Sequence, residues 1–467
     1  MNITEAIQDE RFFKPIFKDL KTWVNWLVLL KAFFAIEMTP EELEVYYKYT
    51  GRSDIPKKEF GELWCICGRR GGKSHMASVI AVYLSLFSDF QKYLSPGERA
   101  AVQIIAADRA QAKLILDYIR GIFQANPIFG QYVQDDYKEA IHLNNSVSIE
   151  VMSCSFRSIR GRSVGVVIFD EIAFYFTDGY KPDSEILAAV RPGLATFQDA
   201  SKLIAISSPY SRSGVLYEHW ERYWGEPDEN VLVWRAPTRA MNPTISQELI
   251  DSEMKKDRSA AESEWLAGWR SDITGAFSQE LIKAAAVLPR VLGYQRYTVY
   301  QAFTDPSGGR NDAFTLAIGH YDFDKSKYTV DLVKAWPAPF NPSEVVQEIS
   351  QILHPYRITS ITGDRYSARW VQEAFEKVDI TYNQCELTKS KLYLELEPLI
   401  NTQQVLMPND EELIKEFCNL ERRTGRSGKD SIDHRLKGHD DRANAVAGCV
   451  YLLKSLENSA FQGCDLS

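Results

Sequence analysis

The chain has 467 residues, more than one hydrophobic core usually serves, and its 45% apolar and 25% charged residues exclude a disordered or fibrous chain and imply two or three folded domains. A formal charge of −9 excludes a protein that coats nucleic acid through its net field, so any grip on DNA must be local. Seven scattered cysteines without a CxxC pair speak against a disulfide framework and for a reducing, cytoplasmic location.

The N-terminal run TWVNWLVLLKAFFAI is the most apolar stretch, but Asn25 and Lys31 interrupt it and it is too short to span a bilayer. No basic-then-apolar export signal precedes it, and no membrane association is expected. A helix start is expected at Thr39-Pro40-Glu41-Glu42, where proline suits the first turn. Trp23 and Trp26 read as core residues rather than as a stacking platform for a base.

The segment ELWCICGRRGGKSHMAS, Glu62 to Ser78, reads as strand, phosphate loop and helix. Gly68, Gly71 and Gly72 let backbone amides turn in on a polyphosphate, with Arg69 and Arg70 beside them. Lys73 can reach the outer phosphates, and Ser74 can hold Mg²⁺ at the positive helix N-terminus. Cys67 stands where the full signature has its first glycine. AAVQIIAA then reads as a buried strand, and a helix follows with Asp108 near its start. His142 to Met152 contains a hairpin turn at Asn144-Asn145. VGVVIFDE is an apolar strand ending at Asp170 and Glu171. A carboxylate there can serve Mg²⁺, and the adjacent Glu can deprotonate the water attacking a γ-phosphate.

Upstream of that strand, SFRSIRGRSV sets Arg157, Arg160 and Arg162 around Gly161, either as a charge-stabilising group for a neighbouring subunit or as a solvated turn. The strand KLIAISSPY ends in Ser207 and Ser208, hydroxyls that can sense hydrolysis or simply make a turn. Residues 211 to 275 read as lid and connector, with helical patterns around Val215–Trp224 and Gln247–Trp269. Residues 276 to 293 read as a linker.

The second half opens with three successive strands, TVYQAFTDPSGG, AFTLAIGHY and KYTVDLVKAW, which imply a meander. RITSITGDRYSARW contains a strand ending at Asp364, and GHDDRANAVAGCVYLL starts a helix with Asp440 and Asp441. Acids at the ends of a first and a fourth strand and on a late helix suit a ribonuclease-H-like fold whose carboxylates bind two Mg²⁺ or Mn²⁺ ions. The segment from Arg422 to Arg442 gathers Arg423, Arg426, Lys429, Arg435 and Lys437 with His434 and His439, as a solvated face or a local grip on DNA.

With GRRGGKS, VVIFDE, ISSP, TDPSGG, GDRYSAR, LERRTGRSGKDSIDH and GHDDRANAVAG in this order, the chain resembles the large terminase subunit of tailed bacteriophages over nearly its whole length. The resemblance implies an α/β protein. Residues 1 to 275 would be an N-terminal P-loop ATPase domain of the ASCE, RecA-like kind with a parallel-rich sheet, and residues 294 to 467 a ribonuclease-H-like nuclease domain. It implies ATP-powered translocation of double-stranded DNA through a portal and cleavage of concatemeric DNA. The implied partners are the portal protein, a small terminase subunit, the procapsid and further copies of the chain in a pentameric ring in the host cytoplasm. Carried over by position, Lys73 and Ser74 contact phosphate and Mg²⁺, with Arg69 or Arg70 assisting; Asp170 serves Mg²⁺ and Glu171 activates water. Ser207 and Ser208 fall on the coupling motif and Arg160 on the region of a trans-acting arginine. Asp305, Asp364 and Asp441 become the nuclease ligands for Mg²⁺ or Mn²⁺, with Asp440 the alternative to Asp441. Two other readings are a helicase, which needs a second motor domain, and a catalytically idle docking or DNA-binding module.

Overall fold

The computed structural model describes residues 1–154, 163–175, 182–270, 272–307, 309, 312–364, 369–425, 429–435 and 438–464. Contacts gather them into two compact units, the first running to residue 271 and the second from residue 272. No helix among the described residues is long and apolar enough to cross a membrane.

The first unit is built on eight strands: β1 (Glu62–Cys67), β2 (Ala100–Ala106), β3 (Val133–Asp136), β4 (Ala140–Leu143), β5 (Val147–Ser153), β6 (Val164–Asp170), β7 (Lys202–Ser207) and β8 (Val231–Ala236), in the order β3-β4-β5-β2-β6-β7-β1-β8. From β5 to β8 every neighbouring pair is parallel, and β3 and β4 add an antiparallel edge. β1, β2, β6 and β7 are buried at every position, as expected of continuous apolar runs covered by helices on both faces. The expected hairpin forms between β4 and β5, with Ser146 at φ +62° in its turn.

Local chemistry explains the helix starts. Thr39 caps the Pro40–Thr50 helix in a capping box with Glu42, and Gly51 ends it at φ +70°. Asp108 accepts the Gln111 amide and starts the Arg109–Ala125 helix. The helical pattern from Gln247 to Trp269 divides into two helices, Gln247–Lys256 and Arg258–Leu266. Asp257 ends the first in extended geometry and caps the second through the Ala260 amide. VLVWRA, inside the stretch read as lid and connector, is an integral strand of the sheet, because an apolar run of this length finds full burial beside β1.

The second unit contains β9 (Ile273–Gly275), β10 (Ala286–Leu288), β11 (Tyr300–Asp305), β12 (Phe314–Asp322), β13 (Lys327–Trp336), β14 (Ser360–Gly363), β15 (Thr381–Gln384), β16 (Val405–Pro408), β17 (Leu420–Thr424) and β18 (Asp430–His434). Its main sheet runs β10-β16-β13-β12-β11-β14-β15, and β18-β17-β9 form a small one. β11, β12 and β13 make the expected antiparallel meander, and β14 and β15 continue parallel to β11. The helix beginning at Asp441 buries Ala443, Val446, Ala447 and Val450 in the same core as Phe303 and Ala317 of the sheet. The fold is thus an N-terminal P-loop α/β domain with a parallel-rich sheet, followed by a ribonuclease-H-like domain.

Candidate active sites

In the first unit, β7 lies between β6 and β1. Register pairs Ile66 with Ser207 and Asp170 with Ile206, so the carboxyl ends of the three parallel strands are level. Such an edge is where open α/β sheets bind ligands. The loop leaving β1 turns at Gly72, φ +88°, directly into the Lys73–Phe87 helix, whose first amides lack intrahelical partners. A Cβ on Gly72 would stand 2.7 Å from the Trp23 ring, and one on Gly71 2.4 Å from Cys67 Sγ. The departure at Cys67 is thereby accommodated: its thiol, pushed up to about 12 by burial, fills the space beside a residue that must be glycine. Cys65 is likewise buried on the strand and reduced, a packing residue.

Three side chains hold the loop's carbonyls from outside. Trp26 Nε1 donates to Gly71 O, Asn242 Nδ2 to Arg70 O and Thr238 Oγ1 to Arg69 O, each at 2.8 Å. Arg69 also pairs with Glu264 at 2.9 Å. This outward anchoring of carbonyls suits a loop whose amides face an anion.

Lys73 is buried, and its ammonium donates to Ser208 Oγ at 2.8 Å and to Gly68 O at 3.1 Å. It lies 3.2 Å from Glu171 Oε1. Burial works against its charge, but Glu171, with Cys67 and Asp170, holds it above the ordinary lysine value. Glu171 occupies φ +57°, a conformation sparsely used outside glycine, and its Oε2 accepts from the Ser208 amide at 2.9 Å with Ser207 Oγ at 3.2 Å. Asp170 is fully buried; burial, then the neighbouring Glu171 carboxylate, push its pKa up. Its Oδ2 accepts from Gln111 Nε2 at 2.8 Å and lies 3.4 Å from Ser74 Oγ, while Oδ1 has no hydrogen-bond partner among the described residues. An orphaned buried carboxylate oxygen beside a hydroxyl at a helix start fits a hard divalent cation. Gln111, Trp26, Thr238 and Asn242 carry no motif in the sequence, and only the position of Gln111 in the first turn after β2 hints at its role. Arg157, Arg160 and Arg162 lie outside the described residues.

In the second unit, β11 pairs with β14 through Thr304 and Gly363, so Asp305 and Asp364 leave neighbouring parallel strands side by side. Asn444 Nδ2 donates to Asp305 Oδ2 at 2.8 Å and lies 3.5 Å from Asp364 Oδ2, while its own Oδ1 is buried without a partner among the described residues. It stands three residues after Asp441, on the same face of the helix, a spacing that could have flagged it. Asp305 is pushed up to about 8, by burial first and then by Asp441, Asp364 and Asp440, against the pull of Asn444. Asp441 Oδ2 accepts from the Ala313 amide at 3.2 Å, and burial raises its pKa. Asp440 is differently engaged: Tyr393 OH donates to it at 2.8 Å, and Lys389 Nζ lies 3.1 Å from both Asp440 and Asp433. The two neighbours are thus held by different partners, Asp440 by Tyr393 and Lys389 and Asp441 by the Ala313 amide. Among the described residues no three His, Cys, Asp or Glu side chains converge closely enough to hold a metal ion. The donor chemistry fits a cation all the same, since buried carboxylates that repel one another favour positive charge between them.

In the basic segment from Arg422 to Arg442, four arginines are held by carboxylates. Arg422 pairs with Glu397 and Asp430, Arg423 and Arg435 with Glu421, and Arg442 with Glu416. Arg426 and Lys437 lie outside the described residues.

No curated protein matches the sequence. Among solved structures, the neighbours are phage large terminases. The large terminase of bacteriophage HK97 is 15% identical, with a TM-score of 0.39 over 89% of this chain and 95% of that one. A large terminase of a thermophilic bacteriophage, in complex with ADP, is 12% identical, with a TM-score of 0.38 over 91% of this chain and 98% of that one. The large terminase nuclease of thermophilic phage G20c with bound magnesium is 19% identical, with a TM-score of 0.33 over 38% of this chain and 96% of that one. The profile of the family described as "Uncharacterized protein MJ0330, N-terminal P-loop domain" matches residues 16–266. That match spans more than half of the sequence, and the chain belongs to this P-loop family.

Proposed function

We propose that the chain is a DNA-packaging motor, in which ATP hydrolysis in the first unit drives double-stranded DNA into a procapsid and the second unit cuts concatemeric DNA. The observation that carries the reading is the meeting of Lys73, Glu171 and Ser208 at the level ends of β1, β6 and β7. Lys73 binds the outer phosphates, and the amides of Gly71 to Ser74 cradle them. Ser74 and Asp170 would hold Mg²⁺, which neutralises phosphate charge when bound. Glu171 orients the attacking water and takes its proton. Ser207 and Ser208, bonded to Glu171, pass the change in that carboxylate's partners to β7.

In the second unit Asp305, Asp364 and Asp441 would hold Mg²⁺ or Mn²⁺, which polarises a phosphodiester when bound. Asn444 orients Asp305. Arg160 acts on the ATP site of the next copy in a pentameric ring, and portal protein, small terminase subunit and procapsid are the partners in the host cytoplasm; these assignments rest on the sequence resemblance. A helicase reading is disfavoured because the second half carries an acid-bearing mixed sheet instead of a second motor domain. The test is ATP hydrolysis with Mg²⁺ and nicking of plasmid DNA with Mn²⁺, measured on the full chain. Absence of both activities, with the chain folded, would reject the proposal in favour of an idle docking module.

A further inference from the structure

The net charge of −9 requires a local site for DNA, and in the basic segment of the second unit Arg422, Arg423, Arg435 and Arg442 are engaged in ion pairs. A different basic surface lies on the first unit. A groove of about 1120 Å³ is lined by Arg109, Lys113 and Arg120 of the Arg109–Ala125 helix and by Lys138 and His142 of the β3–β4 hairpin. Arg109 and Lys113 stand four residues apart on the exposed face of the helix, while Ala112, Ile115, Leu116 and Ile119 bury the opposite face.

The cations in the groove differ in how they are held. Arg120 is tied to Asp136 at 2.9 Å and to Asp117 at 3.2 Å. Arg109, Lys113 and Lys138 are exposed and form no ion pair among the described residues. Of the two acids in the lining, Glu150 is buried with Ser148 on its carboxylate, which leaves Glu139 as the one exposed acid there among the described residues. Tyr137, half exposed, sets its ring edge-on to His142 at the mouth. Three such cations around a concave surface, with an aromatic side chain beside them, complement a phosphate backbone.

The same helix reaches the ATP site. Gln111, between Arg109 and Lys113, donates to Asp170 Oδ2 at 2.8 Å. We infer that this groove binds the phosphate backbone of double-stranded DNA and that its occupation is felt at Asp170 through Gln111. The inference rests on the motor reading for its consequence, DNA-stimulated ATP hydrolysis, but the binding itself can be judged without any ATPase activity.

The experiment is fluorescence anisotropy of a duplex of about 30 base pairs against the full chain over a series of NaCl concentrations, beside ATP turnover with and without the duplex. Lys113→Ala and Lys138→Ala should each reduce the slope of log K against log salt by about 0.9. The double variant Lys113→Glu/Lys138→Glu should lose at least about tenfold in affinity and its DNA stimulation, with basal ATP turnover unchanged. Lys48→Glu, on an exposed helix outside the groove, is the control for net charge. Gln111→Ala should bind DNA as the parent does but lose stimulation. Parental affinity and slope in the groove variants would overturn the inference, as would an absence of DNA binding by the parent. It would also fall if the charge reversals changed sedimentation of the chain and not DNA binding, since the groove would then serve an acidic protein surface. If the parent binds DNA through the groove but hydrolyses no ATP, the motor reading fails and the DNA site stands.

Discussion

Lys73 Nζ lies 3.2 Å from Glu171 Oε1, so the cation assigned to phosphate and the carboxylate assigned to water hold each other. Both side chains have alternatives at hand: Ser208 Oγ for Lys73, the Ser208 amide for Glu171. A γ-phosphate that draws Lys73 away would leave Glu171 held by β7 alone. In the proposed cycle, binding and water activation would thus be linked through one ion pair, with β7 bonded to the carboxylate.

The acidic cluster of the second unit separates two adjacent acids. Asp441→Asn should lower Mn²⁺-dependent nicking by about 10² or more, because a ligand charge is lost at a site of mutually repelling carboxylates. Asp440→Asn should instead lower stability by about 1–3 kcal/mol, since Lys389 and Tyr393 lose a buried charged partner. Plasmid nicking and urea denaturation of both variants check the pair. Equal loss of nicking with equal stability would contradict the division of roles.

The loop's outer anchors make a further prediction. Trp26→Phe keeps an aromatic ring but leaves Gly71 O without its donor, a loss of about 1–3 kcal/mol for a buried carbonyl. ATP binding should weaken by about tenfold while turnover at saturation changes little, measured as KM against kcat. A fall in kcat alone would place Trp26 elsewhere in the cycle.

These anchors mark where the sequence stops being legible. The phosphate loop, the acidic strand and the Ser207-Ser208 strand each read locally, because an apolar run and its polar end lie close together in the chain. Trp26, Thr238 and Asn242 touch that loop from distant positions, and no spacing rule connects them. Asp440 and Asp441 differ in their partners through Lys389 and Tyr393, which reach Asp440 only after folding. β8 hides within a lid-like stretch because its flanks are charged and aromatic. The basic run before Asp441 reads as a surface since, apart from Asp430, the acids paired with its arginines, Glu397, Glu416 and Glu421, precede it in the chain.

Acid should weaken the first unit through its histidines. His219 stacks on Trp64, centroids 3.7 Å apart, with Nδ1 2.7 Å from Val215 O, and burial holds it below the ordinary value; burial does the same to His75. A pKa depressed by folding favours the neutral ring. That contribution is fully present above the unfolded value of about 6.5 and is lost as pH falls below it. Buried carboxyls with raised pKa values act in the opposite sense, so the test is a comparison. Between about pH 7 and 5.5 the parent's Tm should fall more than that of His219→Phe, by differential scanning fluorimetry, and parallel curves would contradict the assignment.

Single-turnover hydrolysis by Glu171→Gln tests whether Glu171 activates the water that attacks bound ATP. Glutamine keeps the shape and can still accept from Ser208 and Ser207, but it cannot take a proton. With Mg²⁺ and duplex DNA present, the variant should bind ATP with affinity within about threefold of the parent and hydrolyse it about 10²–10⁴ times more slowly, with Mn²⁺-dependent nicking intact. Hydrolysis at the parental rate by Glu171→Gln would contradict the account.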